Sequence, residues 1–353
     1  MVTRQWVDRN NNWIPDCDLK NPQAQGPTSA GALQTIDTCG VMSNTNFGSA
    51  TPSTAYDPET LVGWGVRPFN WELSTSVQQQ LAPRVSMNVG YFRRWYGNFT
   101  VTDNRALVPS DFTSFSLTAP LDPRLPGGGG YVIGGLLDPN KAGVQDNYFT
   151  FASRYGEQIE RWNGVDVTIN ARLQQGVLFQ GGLSSGHTET DNCAVLAQVP
   201  EASPLGGPYC HQLTNVLTQV KFLGGYTVPR IDVQVSGTFQ SIPGPQLAAN
   251  RVTTSAQTAL GRAFTGASNV TINMVTPGTL YGERLNQLDL RFAKILKFGR
   301  TRTAVNVDLY NAFNASTVLA ENPVYNGTTA TGWRVPQTIL QPRFARIGVQ
   351  FDF

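Results

Sequence analysis

Along much of the chain apolar and polar residues alternate one for one. The clearest run is the terminal one, Ala345 to Phe353. On a strand, Ala345, Ile347, Val349, Phe351 and Phe353 would share one face, with Arg346, Gln350 and Asp352 on the other. The same period recurs upstream in pairs. Trp71, Leu73, Thr75 and Val77 are followed, after Leu81-Ala82-Pro83-Arg84, by Val85, Met87, Val89 and Tyr91. Val165 to Leu173 is followed by Val177, Phe179, Gly181 and Leu183 beyond Gln174-Gln175-Gly176. Val220, Phe222 and Tyr226 match Ile231, Val233, Val235 and Phe239 across Val228-Pro229-Arg230, and Leu288, Leu290 and Phe292 match Val305, Val307 and Leu309 across Phe298-Gly299-Arg300. Each pair predicts a hairpin. With the terminal strand they give nine strands.

The connections alternate as strictly as the side chains. Turns within hairpins are a few residues long. Between hairpins the chain runs from about Thr102 to Tyr148, Thr188 to Thr214, Ile242 to Arg284 and Ala315 to Arg343. Loops of that length are uncommon inside a compact soluble domain. Short turns at one end and long loops at the other are the regular plan of an outer-membrane barrel. The stretch from Gly266 to Thr276, with Val270, Ile272 and Met274 alternating, reads equally as an extra strand or as a hairpin within a loop.

Opposite the apolar stripes stand Glu72, Asp166, Arg172, Lys221, Asp232, Asp289, Arg291, Asn306, Asp308, Arg346 and Asp352. Unpaired charges of this kind are expelled from a sandwich core but suit a hydrated lumen. Trp71, Trp95, Tyr96, Trp162 and Phe239 fall toward the long-loop ends, and Phe179, Tyr226, Phe298 and Phe353 toward the short-turn ends. Two aromatic girdles at headgroup depth are expected of a barrel. The expected fold is therefore all-β, an antiparallel transmembrane β-barrel of about nine to ten strands. Residues 1–69 are expected to form an extracellular loop region and residues 70–353 the barrel portion.

Composition agrees. The 353 residues carry only 14% charged side chains with 35 Gly and 22 Pro, and the net charge of +2 gives no basic face for nucleic acid. No apolar run is long enough for a membrane helix, which leaves a barrel unaffected. The opening Met1 to Trp6 has no apolar h-region, so no signal peptide is expected there.

Asp289-Leu290-Arg291-Phe292-Ala293-Lys294, Val307-Asp308-Leu309-Tyr310-Asn311-Ala312-Phe313-Asn314 and Pro342 to Phe353 resemble the closing strands of TonB-dependent outer-membrane receptors. The likeness is to the large Oar-like type with a carboxypeptidase-regulatory-like domain. That resemblance implies a barrel of twenty-two strands around a plug in the outer membrane of a Gram-negative-type bacterium, importing a large solute. It also implies three partners: membrane lipid, the TonB energy-coupling complex, and a barrel-assembly machinery that reads Ile347, Val349, Phe351 and Phe353. Neither a plug nor a coupling segment is present, so the chain is expected to be the C-terminal part of such a receptor, with coupling through the missing N-terminal part. A passive porin or adhesin barrel, and a secreted soluble carbohydrate-binding β protein, are the alternative readings.

Candidate chemistry sits in the loops, where Arg105, Asp111, Trp333 and Arg334 are open to two readings, as the lining of a binding surface or as solvated tips. Asp8, Asn10, Asn12, Asp16 and Asp18 place oxygens at alternate positions somewhat like a calcium loop. Trp13 replaces the usual glycine and no bidentate Glu follows, so a loop of Asx turns is the competing reading. Cys17 with Cys39, and Cys193 with Cys210, are local pairs suited to disulfides in an oxidising compartment. A metal site of Cys193, Cys210, His187 and His211 would lack the short spacings zinc favours. No nucleophile motif surrounds the two histidines, so no enzyme activity is expected. Gly127 to Gly130 lacks the Lys-Ser/Thr and the helix of a phosphate cradle and reads as a loop tip.

Overall fold

The computed structural model describes residues 2–27, 35–45, 54–173, 176–299, 301–327 and 332–352. The side chain of Phe298 and all of Phe353 lie outside the described residues, so the terminal aromatic has no structural account. The chain divides into two compact units, Met1–Thr54 and Ala55–Phe353. The division falls before position 69 because Ala55–Tyr56 runs parallel to Asn147–Phe151, which draws residues 55–69 into the larger unit.

The larger unit is built on one antiparallel sheet. Its long strands are β1 (Phe69–Ala82), β2 (Val85–Gly97), β3 (Ile159–Arg172), β4 (Leu178–Asp191), β5 (Leu217–Val228), β6 (Val233–Ile242), β7 (Leu285–Phe298), β8 (Thr301–Tyr310) and β9 (Phe344–Asp352). Each pairs with its neighbour in sequence, and β1 and β9 are the edges among the described residues. A short tenth strand, His211–Leu213, pairs with the loop end of β4. Strands of 14 residues, as in β1, or 9, as in β9, are long enough to cross a tilted bilayer path. This is the all-β antiparallel wall of a barrel, and among the described residues no helix is long and apolar enough to cross a membrane.

Register confirms the hairpins residue by residue. Val77 faces Val89, Val89 faces Val167, and Val167 faces Leu183, so one apolar row runs across four strands. At the far edge Phe292 faces Val307, which faces Ile347. The outward side chains stay uncovered: Val77 is 69% exposed, Trp71 62%, Ile347 76% and Phe351 67%. A water-facing sheet would not present such a continuous apolar surface.

Turn chemistry fixes the register. In the tightest turn Pro83 is followed by Arg84 at φ 67, and Pro then a left-handed residue is the pattern of a type II turn. Arg230 and Asp232, at φ 73 and 47, bend the turn between β5 and β6. Asp232 therefore belongs to a turn, not to the inward row in which the alternation places it.

The core lies elsewhere. Among the described buried apolar side chains, only Ala171, Ala293 and Ile295 belong to the nine long strands. Phe115, Leu117, Leu136, Ile272, Met274, Tyr325 and Trp333 form one buried cluster drawn from the connections 98–158, 243–284 and 311–343, with Leu205 and Tyr209 of 192–216 packed against it. The long connections thus fold together as a cap with short hairpins of its own. Val270–Asn273 pairs with Asn250–Thr253 in that cap, and Ile272 and Met274 are both 1% exposed. The ambiguous stretch is a loop hairpin, not a membrane strand.

Candidate functional site

On the inward face of the wall, Glu72 of β1 pairs with Arg94 of β2. At the other edge Asp308, 3% exposed, takes Arg291 Nε at 2.5 Å and Arg346 Nη2 at 2.9 Å, which binds β7, β8 and β9 through one carboxylate. Bidentate pairing of this kind offsets the desolvation of the buried charge. Asn88 Oδ1 and Asp166 Oδ1 face the same side, enclosed and without a protein hydrogen-bond partner.

The Tyr-Asn-x-Phe-Asn segment closes β8. Asn311 and Asn314 both take left-handed φ, 50 and 52, a conformation asparagine tolerates better than most residues. Asn311 Nδ2 donates to Ala315 O and to Gln341 O, and Asn314 Oδ1 accepts from Arg343 N. The motif is a strand exit that ties the ends of the last long connection together.

Aromatic positions divide by face. Trp71 and Trp95 are paired on the outward side, and Phe179 stacks on Phe222 at 5.4 Å. Tyr96 and Trp162 do not join them. Trp162 sits opposite Arg94 and Thr188, in the inward row with Glu72. The parity was readable: Trp162, Gly164 and Asp166 fall on one side and Val165 and Val167 on the other.

Polar links knit the cap. Asp122 Oδ2 receives Arg124 Nη2 at 2.6 Å and the Tyr325 hydroxyl at 3.1 Å. Arg124 Nη1 donates to Trp333 O, and Trp333 Nε1 to Ala248 O at 2.7 Å. The Arg124 guanidinium holds the Asp122 carboxyl down to about 2. Tyr209 donates to Asn273 O, and burial pushes its hydroxyl up to about 12. Glu201 Oε1 accepts Asn104 N at 2.8 Å, and burial raises its carboxyl above the usual range, with Asp103 adding to the shift.

Residues whose exposure in loops made them candidate contacts have structural partners. Trp333 is 1% exposed in the cap core, Arg334 binds Glu321, Arg105 binds Asp146, and Asp111 binds Lys141. Cys193 and Cys210 are joined in a disulfide. Their sulfurs are thus not available as metal thiolates beside His187 and His211, and His211 Nδ1 lies 3.0 Å from Asp191 Oδ2. Gly127, Gly128, Gly129 and Gly130 all take positive φ in a turn after Pro126, with no helix beyond to align amides on a phosphate.

In the smaller unit Trp6–Val7 pairs with Thr38–Cys39, and Cys17 is bonded to Cys39. Asp37, fully buried, is the organising residue: it accepts Arg9 N, Asp16 N and Trp6 Nε1, and the backbone donor of Arg9 leads in lowering its carboxyl. The candidate calcium ligands are engaged locally. Asp8 Oδ2 accepts Trp13 N, Asn10 Oδ1 accepts Asn12 N, Asn12 Oδ1 accepts Ile14 N, Asp16 Oδ2 accepts Asn10 Nδ2, and Asp18 Oδ1 accepts Lys20 N. The bonds at Asn10, Asn12 and Asp18 are Asx turns, while Asp8 Oδ1 is enclosed without a protein partner. Among the described residues no three His, Cys, Asp or Glu side chains gather as a metal-binding group.

No family model matches the sequence, and no curated protein matches it. Among solved structures, the outer membrane transporter YddB from Escherichia coli is similar over 80% of this chain, at 11% identity and a TM-score of 0.41. The chain covers 32% of that transporter's length.

Proposed function

We propose that the chain forms part of the barrel and outer surface of a TonB-dependent outer-membrane receptor. The observation that carries this reading is the coincidence of two alternations. Side chains alternate between an uncovered apolar face and a charged, ion-paired face, and connections alternate between tight turns and long segments folded into a cap. Lipid outside and water inside account for the first, and a periplasmic and an outer end account for the second. The unpaired edges of β1 and β9 call for further strands to complete a barrel, because open edges are not tolerated in a bilayer.

A cap with its own core suits a receptor that presents a shaped surface to a large solute better than a passive pore. In this reading the apolar row Ile347, Val349 and Phe351, with Phe353 next in the sequence pattern, is the segment met by the assembly machinery. Energy coupling would act through a plug and coupling segment carried by another part of the receptor. Heat-modifiable migration of the full-length protein tests the barrel: a shift between unheated and boiled samples is expected, and equal migration would contradict it.

A further inference from the structure

Trp162 lies along the wall instead of standing away from it. A Cβ built on Gly164 would stand 2.2 Å from Trp162 Cη2, and one on Gly186 2.7 Å from Cζ2. Gly164 and Gly186 are register partners on the same face. The two glycines therefore leave the space in which the indole lies against the inward wall. Two recesses meet at this ring. One, of about 430 Å³, runs under the connection 243–284 and is lined by Ser184, Gln219, Gln246 and Tyr281, with His187 as its one basic side chain and no Asp, Glu, Lys or Arg. The other, of about 460 Å³, is charged but balanced in sign, with Glu72, Glu160 and Asp166 against Arg93, Arg94 and Arg161, and within it Glu72 pairs with Arg94.

From this arrangement we propose that the paired recess is a binding site for a neutral carbohydrate, seated with the C–H face of one sugar ring on Trp162. Amide and hydroxyl groups that both donate and accept match the dual character of sugar hydroxyls. A flat aromatic supplies apolar contact without charge. Asp166, in the lining of the second recess, supplies a carboxylate acceptor for a hydroxyl donor on the other side of the ring. A charged substrate would need a net counter-charge: the first recess offers only the His187 imidazole, and the second balances Glu72, Glu160 and Asp166 against Arg93, Arg94 and Arg161. Each recess falls in the size range of small-ligand pockets, so together they accommodate a short stretch of oligosaccharide. The site rests on the barrel reading, since only there does the inward face become a solute path.

The test uses the full-length protein in detergent, with maltotriose, cellotriose, xylotriose and triacetylchitotriose as neutral probes and trigalacturonate as the charged control, measured by calorimetry. At least one neutral trisaccharide is expected to bind, more tightly than trigalacturonate. Trp162→Ala is expected to weaken that binding about tenfold, Trp162→Phe less, and Gln246→Ala several-fold. Heat-modifiable migration is followed for every variant. A retained shift with no neutral binder, with preference for the charged probe, or with unchanged affinity in both Trp162→Ala and Gln246→Ala would overturn the site and leave the barrel standing. Loss of the shift in the unsubstituted protein would overturn both.

Discussion

The wall and the cap of the larger unit solve opposite problems with the same strand chemistry. Wall strands are long, pair in strict sequence order and bury almost no apolar side chain, so Val77 and Ile347 remain mostly uncovered. Cap strands are short, come from connections far apart in sequence, and bury Leu117, Leu136, Ile272 and Trp333 almost completely. The difference teaches that the cap holds itself up in water by an ordinary hydrophobic core, whereas the wall relies on ladder hydrogen bonds and on an apolar medium beyond the chain.

The sharpest way to separate the two is to truncate one side chain in each. Trp333→Ala should destabilise the cap by about 3–5 kcal/mol, as removal of a buried aromatic does, and expose cap amides to hydrogen exchange. Val77→Ala, on the uncovered face of β1, should leave exchange in both regions nearly unchanged. Equal effects would mean that wall and cap do not differ as described.

Next in size is the disulfide. Cys193 and Cys210, 17 positions apart, close a loop within the connection 192–216, and replacing both with Ser should cost about 3 kcal/mol through the freedom regained by the unfolded loop. Limited proteolysis should then cut within that connection first. Resistance equal to that of the unsubstituted protein would show that packing alone restrains it.

Two carboxyls give the cap opposite responses to pH. Asp122 is held at about 2, below its ordinary 3.8, so its stabilisation is complete above about 3.8 and is lost as pH falls through about 2. Asp122→Asn should lower cap stability by about 1–3 kcal/mol at neutral pH, with the loss fading as the solution is acidified. Glu201 is raised above its ordinary 4.5, so it favours the folded cap at low pH and opposes it as pH rises through its folded value. Glu201→Gln should therefore stabilise the cap at neutral pH by about 1 kcal/mol or less, with no gain below 4.5. Melting curves at stepped pH read both slopes, and parallel slopes for the two variants would contradict the assignment.

The wall was legible in the sequence because period-two alternation over ten or so residues has one physical meaning, and because Pro83-Arg84 and Gly299 punctuate it. The cap was not. Its strands run as short as the four residues of Asn250–Thr253, too few for a period to declare itself, and its core is assembled from residues such as Leu117 and Trp333 that only tertiary packing brings together. Trp333 was therefore open between a loop contact and a solvated tip, although it is a core residue. Trp162 failed differently: its place near a strand end suggested a headgroup girdle, while its parity with Gly164 and Asp166 already assigned it to the lumen. The local bonding of Asp8, Asn10 and Asn12 was open to two readings because Asx turns and cation loops draw on the same residue types.

The central claim is that lipid meets one face of the wall and water the other, and consecutive positions of β3 test it most directly. Single spin labels at residues 165 to 170, in the full-length protein reconstituted into bilayers, should alternate in accessibility. Positions 165, 167 and 169 should be reached by oxygen dissolved in lipid, and 166, 168 and 170 by a water-soluble relaxation agent. Equal access of the water-soluble agent to both sets would show a sheet standing in water and would contradict the account.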